Sequence, residues 1–361
     1  MSHFRIQRVC PGKLTPFIYL FTLLSLFLLS GCTSIFWLTA APLLRTATTT
    51  AIAAKPQPVI EIPLRGPLTS RRAEFSGLAW YGDHLILLPQ WPTHWANQLF
   101  YLNKADIVAF LTHKKTTPLA PQPIRLVNGD LAGQIPRFDG FEALAFDGDR
   151  AFLTIEAKPD QGMMGYLITG VMAPDLSELR LDSTRMPKIQ PQTNIDNFAD
   201  EAIFLAGNRV VTLYETSSIF VNPEPVAHLF DQTLKPQGTI PMADFPYRNT
   251  DATPLDKANR FWVINYFFPG DKQLRSELGL PGKAANPLTK DKPVERLVEF
   301  EYSPTGITRV DTPPITLRLL DNNVARNWEG IARLETPTLN GFLLVTDYYP
   351  ETIFAFVPKP K

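Results

Sequence analysis

One short pattern recurs five times along the chain, and it restricts the fold more than any other feature. The segments are FSGLAWYGDHLILLPQ from Phe75, FEALAFDGDRAFLTIE from Phe141, DEAIFLAGNRVVTLYE from Asp200, TDATPLDKANRFWVIN from Thr250 and WEGIARLETPTLNGFLLVTD from Trp328. Each is an alternating apolar run, a turn built on Gly, Asp or Asn, and a second alternating run. That is the pattern of a β-hairpin. With 34 prolines in 361 residues, little uninterrupted chain is left for long helices.

Two further strand-like runs follow each hairpin: NQLFYLN and QPIRLVN, MGYLITGVM and ELRLDS, SIFVNPEPVAHLF and PQGTIPM, then RLVEFEY and ITLRLL. The fifth hairpin is followed by ETIFAFVP alone, and the chain ends one strand short. QPVIEIPLRG, residues 57–66, is a spare strand at the other end. Pairing it with the last unit closes a ring and leaves no open sheet edge. The expectation is an all-β fold, a five-bladed β-propeller over residues 57–361. Six blades are the alternative if an insertion hides a degenerate blade. KADIVAFLTHKK, residues 104–115, reads as a short helix, and residues 272–293 as a polar excursion.

In a propeller blade the first strand lines the central channel and the second runs back beside it. The start of one and the end of the other therefore share one mouth. The second residues of the five repeats are Ser76, Glu142, Glu201, Asp251 and Glu329, and the partner positions are Gln90, Glu156, Glu215, Asn265 and Asp347. Carboxylates gathered in this way need raised pKa values, paired cations or a bound metal. An oxygen-only set suits a hard ion such as Ca²⁺, with Glu142, Glu201, Asp251, Glu329 and Asp347 as candidate ligands. Glu156 and Glu215 are candidate general bases. Arg137, Arg248 and Arg326 lie two to four residues ahead of their repeats and are candidates for holding a substrate phosphate or carboxylate. In the competing account the acids cap strand ends and pair with these arginines without an ion.

The first 32 residues stand apart. Arg5, Arg8 and Lys13 precede the apolar run PFIYLFTLLSLFLL, which ends in Leu29-Ser30-Gly31-Cys32. This is an export signal of residues 1–31 with a lipoprotein-type cleavage site, and Cys32 is the expected lipid attachment point. An uncleaved membrane helix is the alternative, and either one places the globular part outside the cytoplasm. Thr33, where aspartate would favour inner-membrane retention, points to the outer membrane. Residues 32–56 read as a tether. Overall, 35 basic groups balance 35 acidic ones, and removal of the signal leaves a net charge of about −3. A nucleic-acid partner is excluded for want of a basic surplus. Cys10 leaves with the signal and Cys32 goes to lipid, so no disulfide is expected in the folded domain.

FEALAFDGDRAFLTIE and NWEGIARLETPTLNGFLLVTDYYP, residues 327–350, resemble the signature segments of the bacterial "esterase-like activity of phytase" family of exported propellers. Asn327, Glu329, Gly330 and Asp347 match its last segment, while Thr346 and Tyr348 stand where serine and asparagine are usual. A weaker resemblance is to apyrase-type calcium-activated nucleotidases. These resemblances imply a calcium-dependent phosphoester or ester hydrolase acting on a small phosphorylated or ester substrate. The other expectation is a non-catalytic envelope propeller that binds a partner or a glycan.

Overall fold

The computed structural model describes residues 55–160, 162–271, 274 and 292–360. The export signal, Cys32, nearly all of the tether and most of the excursion at 272–293 lie outside the described residues. The described chain is all-β, with short helical segments in its connections. Residues 104–115 carry one of these, an α-helix over Lys104–Leu111.

All five predicted hairpins are present. Their inner strands are Phe75–Tyr81, Phe138–Asp147, Asp200–Ala206, Phe245–Ala252 and Trp328–Glu335. Three of the turns between hairpin strands open on a glycine with positive φ, Gly82, Gly148 and Gly207. This conformation lets two residues reverse an antiparallel pair. The inner strands are neighbours in cyclic order, with the last packed against the first. Their sheets radiate outward in antiparallel order, the arrangement of a β-propeller.

Closure occurs where the sequence pattern places it. Ile60–Glu61 pairs antiparallel with Phe354–Pro358, setting Ile60 opposite Phe356. Ile62 N–H extends the ladder to the Phe354 carbonyl at 2.8 Å. The core is divided rather than central. Separate apolar clusters fill the interfaces between successive sheets, and the one containing Phe75, Leu87, Leu343 and Phe356 joins the first hairpin to the last. The hairpin strands are buried on both faces between neighbouring sheets, so their buried residues run almost without interruption. One pairing has no counterpart in the pattern. Gln122–Val127 and Glu178–Asp182, the outermost strands of the first two units, pair in parallel and cover each other's edges.

Candidate functional site

Every inner strand breaks its pairing register close to its mouth end. Phe75 faces Pro89 and Gly77 faces Leu88, leaving Ser76 as an extra residue. The same irregularity isolates Glu142, Glu201 and Glu329. In the fourth unit Asn249 faces Asn265 and Ala252 faces Val263, so counting back from Ala252 makes Thr250 the extra residue. A β-bulge turns its side chain away from the regular alternation, and here it brings Glu142, Glu201 and Glu329 to the channel mouth.

This register corrects the alignment of the fourth repeat by one residue. Thr250, not Asp251, occupies the shared position, and its Oγ1 donates to the Trp328 carbonyl at 2.6 Å. Ser76 does the same in the first unit, donating to the Phe141 carbonyl at 2.5 Å. Asp251 sits one step deeper and caps backbone: its Oδ1 accepts from Ala252 N at 2.7 Å and its Oδ2 from Ile331 N at 2.8 Å. Leu78 N–H adds a third such bond. Gly330 must be small here, because a Cβ would stand 2.8 Å from Leu78 Cγ and 2.7 Å from Val345 Cγ1.

Above this floor lies a cavity of about 940 Å³, walled by Glu142, Glu156, Glu201, Glu329 and Asp347, with Asp139 also lining it. Burial, with the neighbouring Glu156 and Glu329, pushes Glu142 well above the usual carboxylate range. Burial together with Glu215 does the same to Glu201, and burial together with Asp347 to Glu329. Glu156 is raised to about 8 by burial and the Glu215 charge, and Asp347 to about 6, chiefly by burial. Few protein donors answer these acceptors. Gln90 Nε2 donates to Glu142 at 3.1 Å, and Asn327 Nδ2 bridges Glu329 at 2.6 Å and Asp347 at 3.2 Å. Glu156 Oε1, Glu201 Oε2, Glu215 Oε2 and Asp347 Oδ1 are buried without a hydrogen-bond partner.

The other expected site residues are distributed differently. Glu215 is fully buried behind the wall, paired with Arg248 and sharing a hydrogen bond with Glu201. Burial raises it to about 7 against the pull of Arg248. Arg248 does line the cavity, but Asp271 grips it through Nε at 2.9 Å and Nη2 at 3.1 Å while Phe198 stacks beneath it at 4.3 Å. Arg326 is buried away from the cavity, where Glu295 holds its Nη2 at 2.7 Å and the Trp328 ring lies 4.9 Å from the guanidinium. Arg137 is exposed, 3.5 Å from Asp160. Asn265 is spent on the Pro246 and Arg248 carbonyls and on Arg296. No arginine fork for phosphate therefore forms: two of the three candidates lie outside the cavity lining and the third is already doubly paired.

The pattern of repeats gave no sign of the aromatic wall. Tyr266, Phe268, Tyr348 and Tyr349 line the cavity together with Trp91, whose place at this mouth follows from the first hairpin. Phe268, Tyr348 and Tyr349 fall just past strand ends, whereas Tyr266 lies within the strand Arg260–Phe267 and reads there as a core residue.

An all-oxygen donor set with unpartnered buried oxygens fits a hard cation in its chemistry. Among the described residues, however, no three His, Cys, Asp or Glu side chains stand as a ready-made ion cage.

The fold and site define a β-propeller with a carboxylate-walled mouth. No family model matches the chain, the phytase-like family included, and no curated protein matches it. Among solved structures it is similar in fold to a thermostable family-43 glycoside hydrolase, at 10% identity and a TM-score of 0.45 over 84% of this chain and 93% of that one. An exo-1,5-α-L-arabinanase from a bovine ruminal metagenomic library gives 9% identity and 0.42 over 81% and 95%. The Malassezia sympodialis allergen Mala s 1 gives 6% and 0.43 over 84% and 96%. Similarity of this degree concerns chain path alone, and a shared propeller does not carry an activity with it.

Proposed function

We propose that the chain is an exported, lipid-anchored hydrolase of phosphoesters or related esters, acting at the acidic mouth with a bound calcium ion. The observation that supports it is the set of buried carboxylate oxygens without partners around one cavity. Burying such oxygens is costly unless a cation or a proton answers them. Glu142, Glu201, Glu329 and Asp347 would hold the ion, with Asp251 left to the backbone it caps. The ion would supply positive charge to hold and polarise the ester oxygens, a task that the engaged arginines leave open.

The protein's own part is proton handling and positioning. Glu156, with a pKa of about 8, keeps its proton at neutral pH and is suited to donate it to the departing oxygen. Glu215 does not line the cavity and acts through Glu201, with Arg248 and Asp271 fixing its place. In a metal-free preparation calcium should raise the melting temperature, and a phosphoester panel should show turnover that chelator removes. Glu156→Gln should keep the thermal response and lose at least about a hundredfold in turnover. A flat response to calcium, or full turnover in Glu156→Gln, would sink the proposal.

The anchoring part rests on Cys32 and the segment before it. Wild-type protein should label with a palmitate analogue in cells and Cys32→Ser should not; equal labelling of both would refute it. The saturation of Arg248 and Arg326 favours a second reading, a propeller that binds its ligand without turning it over.

A further inference from the structure

Among the described residues, five aromatic side chains and six carboxyl groups line the same cavity, and the cations there are Arg248 and Lys292. Arg248 is neutralised twice over, by Glu215 and Asp271. Five large apolar side chains are left exposed among the described residues, and three of them, Phe268, Tyr348 and Tyr349, stand on this wall. The wall already holds one cation at its rim, since the Arg71 guanidinium lies 3.7 Å from the centre of the Tyr348 ring.

Hydrogen-bond accounting limits what else can enter. The amide of Gln90 is committed to Glu142, that of Asn327 to Glu329 and Asp347, and the Arg248 guanidinium to Glu215 and Asp271. Glu156 and Glu201 are 2% and 6% exposed, line the cavity, and each keeps an oxygen with no partner. Unpartnered oxygens on two buried carboxyl groups favour a ligand that brings donors and positive charge to this part of the wall. An ammonium group has three donors and no acceptor. It also carries the charge that aromatic faces and carboxylates both attract. A polyol can also bond to the carboxyl groups, but it brings no charge to them or to the aromatic faces. A single metal ion fills a small part of about 940 Å³ and leaves the aromatic wall without a role.

We infer that this cavity binds an organic ligand bearing a protonated amine, with the ammonium directed to Glu156 and Glu201 and the carbon skeleton laid against the wall of Trp91, Tyr348 and Tyr349. The inference does not depend on hydrolysis or on calcium.

The test is isothermal calorimetry on the full chain in detergent micelles, with chelator present, using 1,6-diaminohexane against 1,6-hexanediol. These probes share a skeleton and differ in charge and in hydrogen-bond balance. The diamine should bind and the diol should not. Glu156→Gln and Tyr348→Leu should each weaken the diamine about tenfold or more. Tyr348 is 44% exposed, so its replacement does not depend on the fold surviving a core change. Absence of diamine binding, equal binding of the diol, or affinity unchanged in both variants would overturn the inference. Loss of ester turnover, or of the calcium response, would leave it standing.

Discussion

The first and fourth units differ from the second, third and fifth at one position, and the difference separates what builds the mouth from what uses it. All five inner strands carry the same bulge. In the first and fourth, Ser76 and Thr250 fill it and donate to a carbonyl of the next inner strand, Phe141 and Trp328 respectively. In the others Glu142, Glu201 and Glu329 fill it and face the cavity. The hydroxyls are short and find a neighbour's backbone within reach. The glutamates are long enough to pass that backbone, and no corresponding carbonyl could accept from them when ionised. The same backbone device thus serves as a stitch between units in two places and as a mount for carboxyl groups in three.

The largest expected consequence of this division is in the pH dependence. Glu156 stands at about 8 in the folded chain against an ordinary 4.5. Between those values the native state holds more protons than the unfolded one, so stability falls as pH rises and then levels off above the folded value. Glu142, Glu201 and Glu329 act in the same direction. In chelator the protein should therefore lose a few kcal/mol between pH 4.5 and pH 8. Glu156→Gln should flatten that slope, whereas Ser76→Ala should lower the whole curve without changing its shape. Urea denaturation at intervals across this range checks both. An unchanged slope in Glu156→Gln would mean that the carboxyl groups are compensated and the contrast between the units is only one of shape.

Much of the scaffold could be read from residue order because it rests on local chemistry. Alternation marked the hairpin strands, Gly-Asp and Gly-Asn marked their turns, and a surplus strand at residues 57–66 matched a deficit at the other end. The carboxylate wall was legible for the same reason, since Glu142, Glu201 and Glu329 hold equivalent places in their repeats. The fourth repeat misled because its hairpin turn is two residues longer, with Ala252 facing Val263 where Leu78 faces Leu87 in the first. Its Thr-Asp opening then matched the acidic position of the other repeats one residue too late. The arginines misled for a different reason. Their partners, Asp271 and Glu295, come from other strands and loops, and nothing near Arg248 or Arg326 in the chain announces them. The role of Asp251 depends in the same way on Leu78 and Ile331, far removed in sequence.

A smaller effect should come from the stitches themselves. Thr250→Val keeps the shape of the side chain and removes the donor to the Trp328 carbonyl, in a position that is 1% exposed. Ser76→Ala does the equivalent at the Phe141 carbonyl, also at 1% exposure. Each change leaves a buried acceptor short of a bond that water cannot easily replace, and the cost should be about 1–3 kcal/mol. Thr250→Ser should recover most of it, which distinguishes a lost hydrogen bond from lost packing. The same measurement on Glu142→Gln at pH 8 in chelator should go the other way, neutral or stabilising, because an amide replaces a carboxyl group that burial and its neighbours hold against ionisation. If Thr250→Val proved silent, the hydroxyl would be filling space and the two kinds of unit would differ less than their hydrogen bonds imply. If Glu142→Gln cost as much as Thr250→Val, the glutamates would be structural too, and the mouth would lose the feature that sets it apart from the rest of the ring.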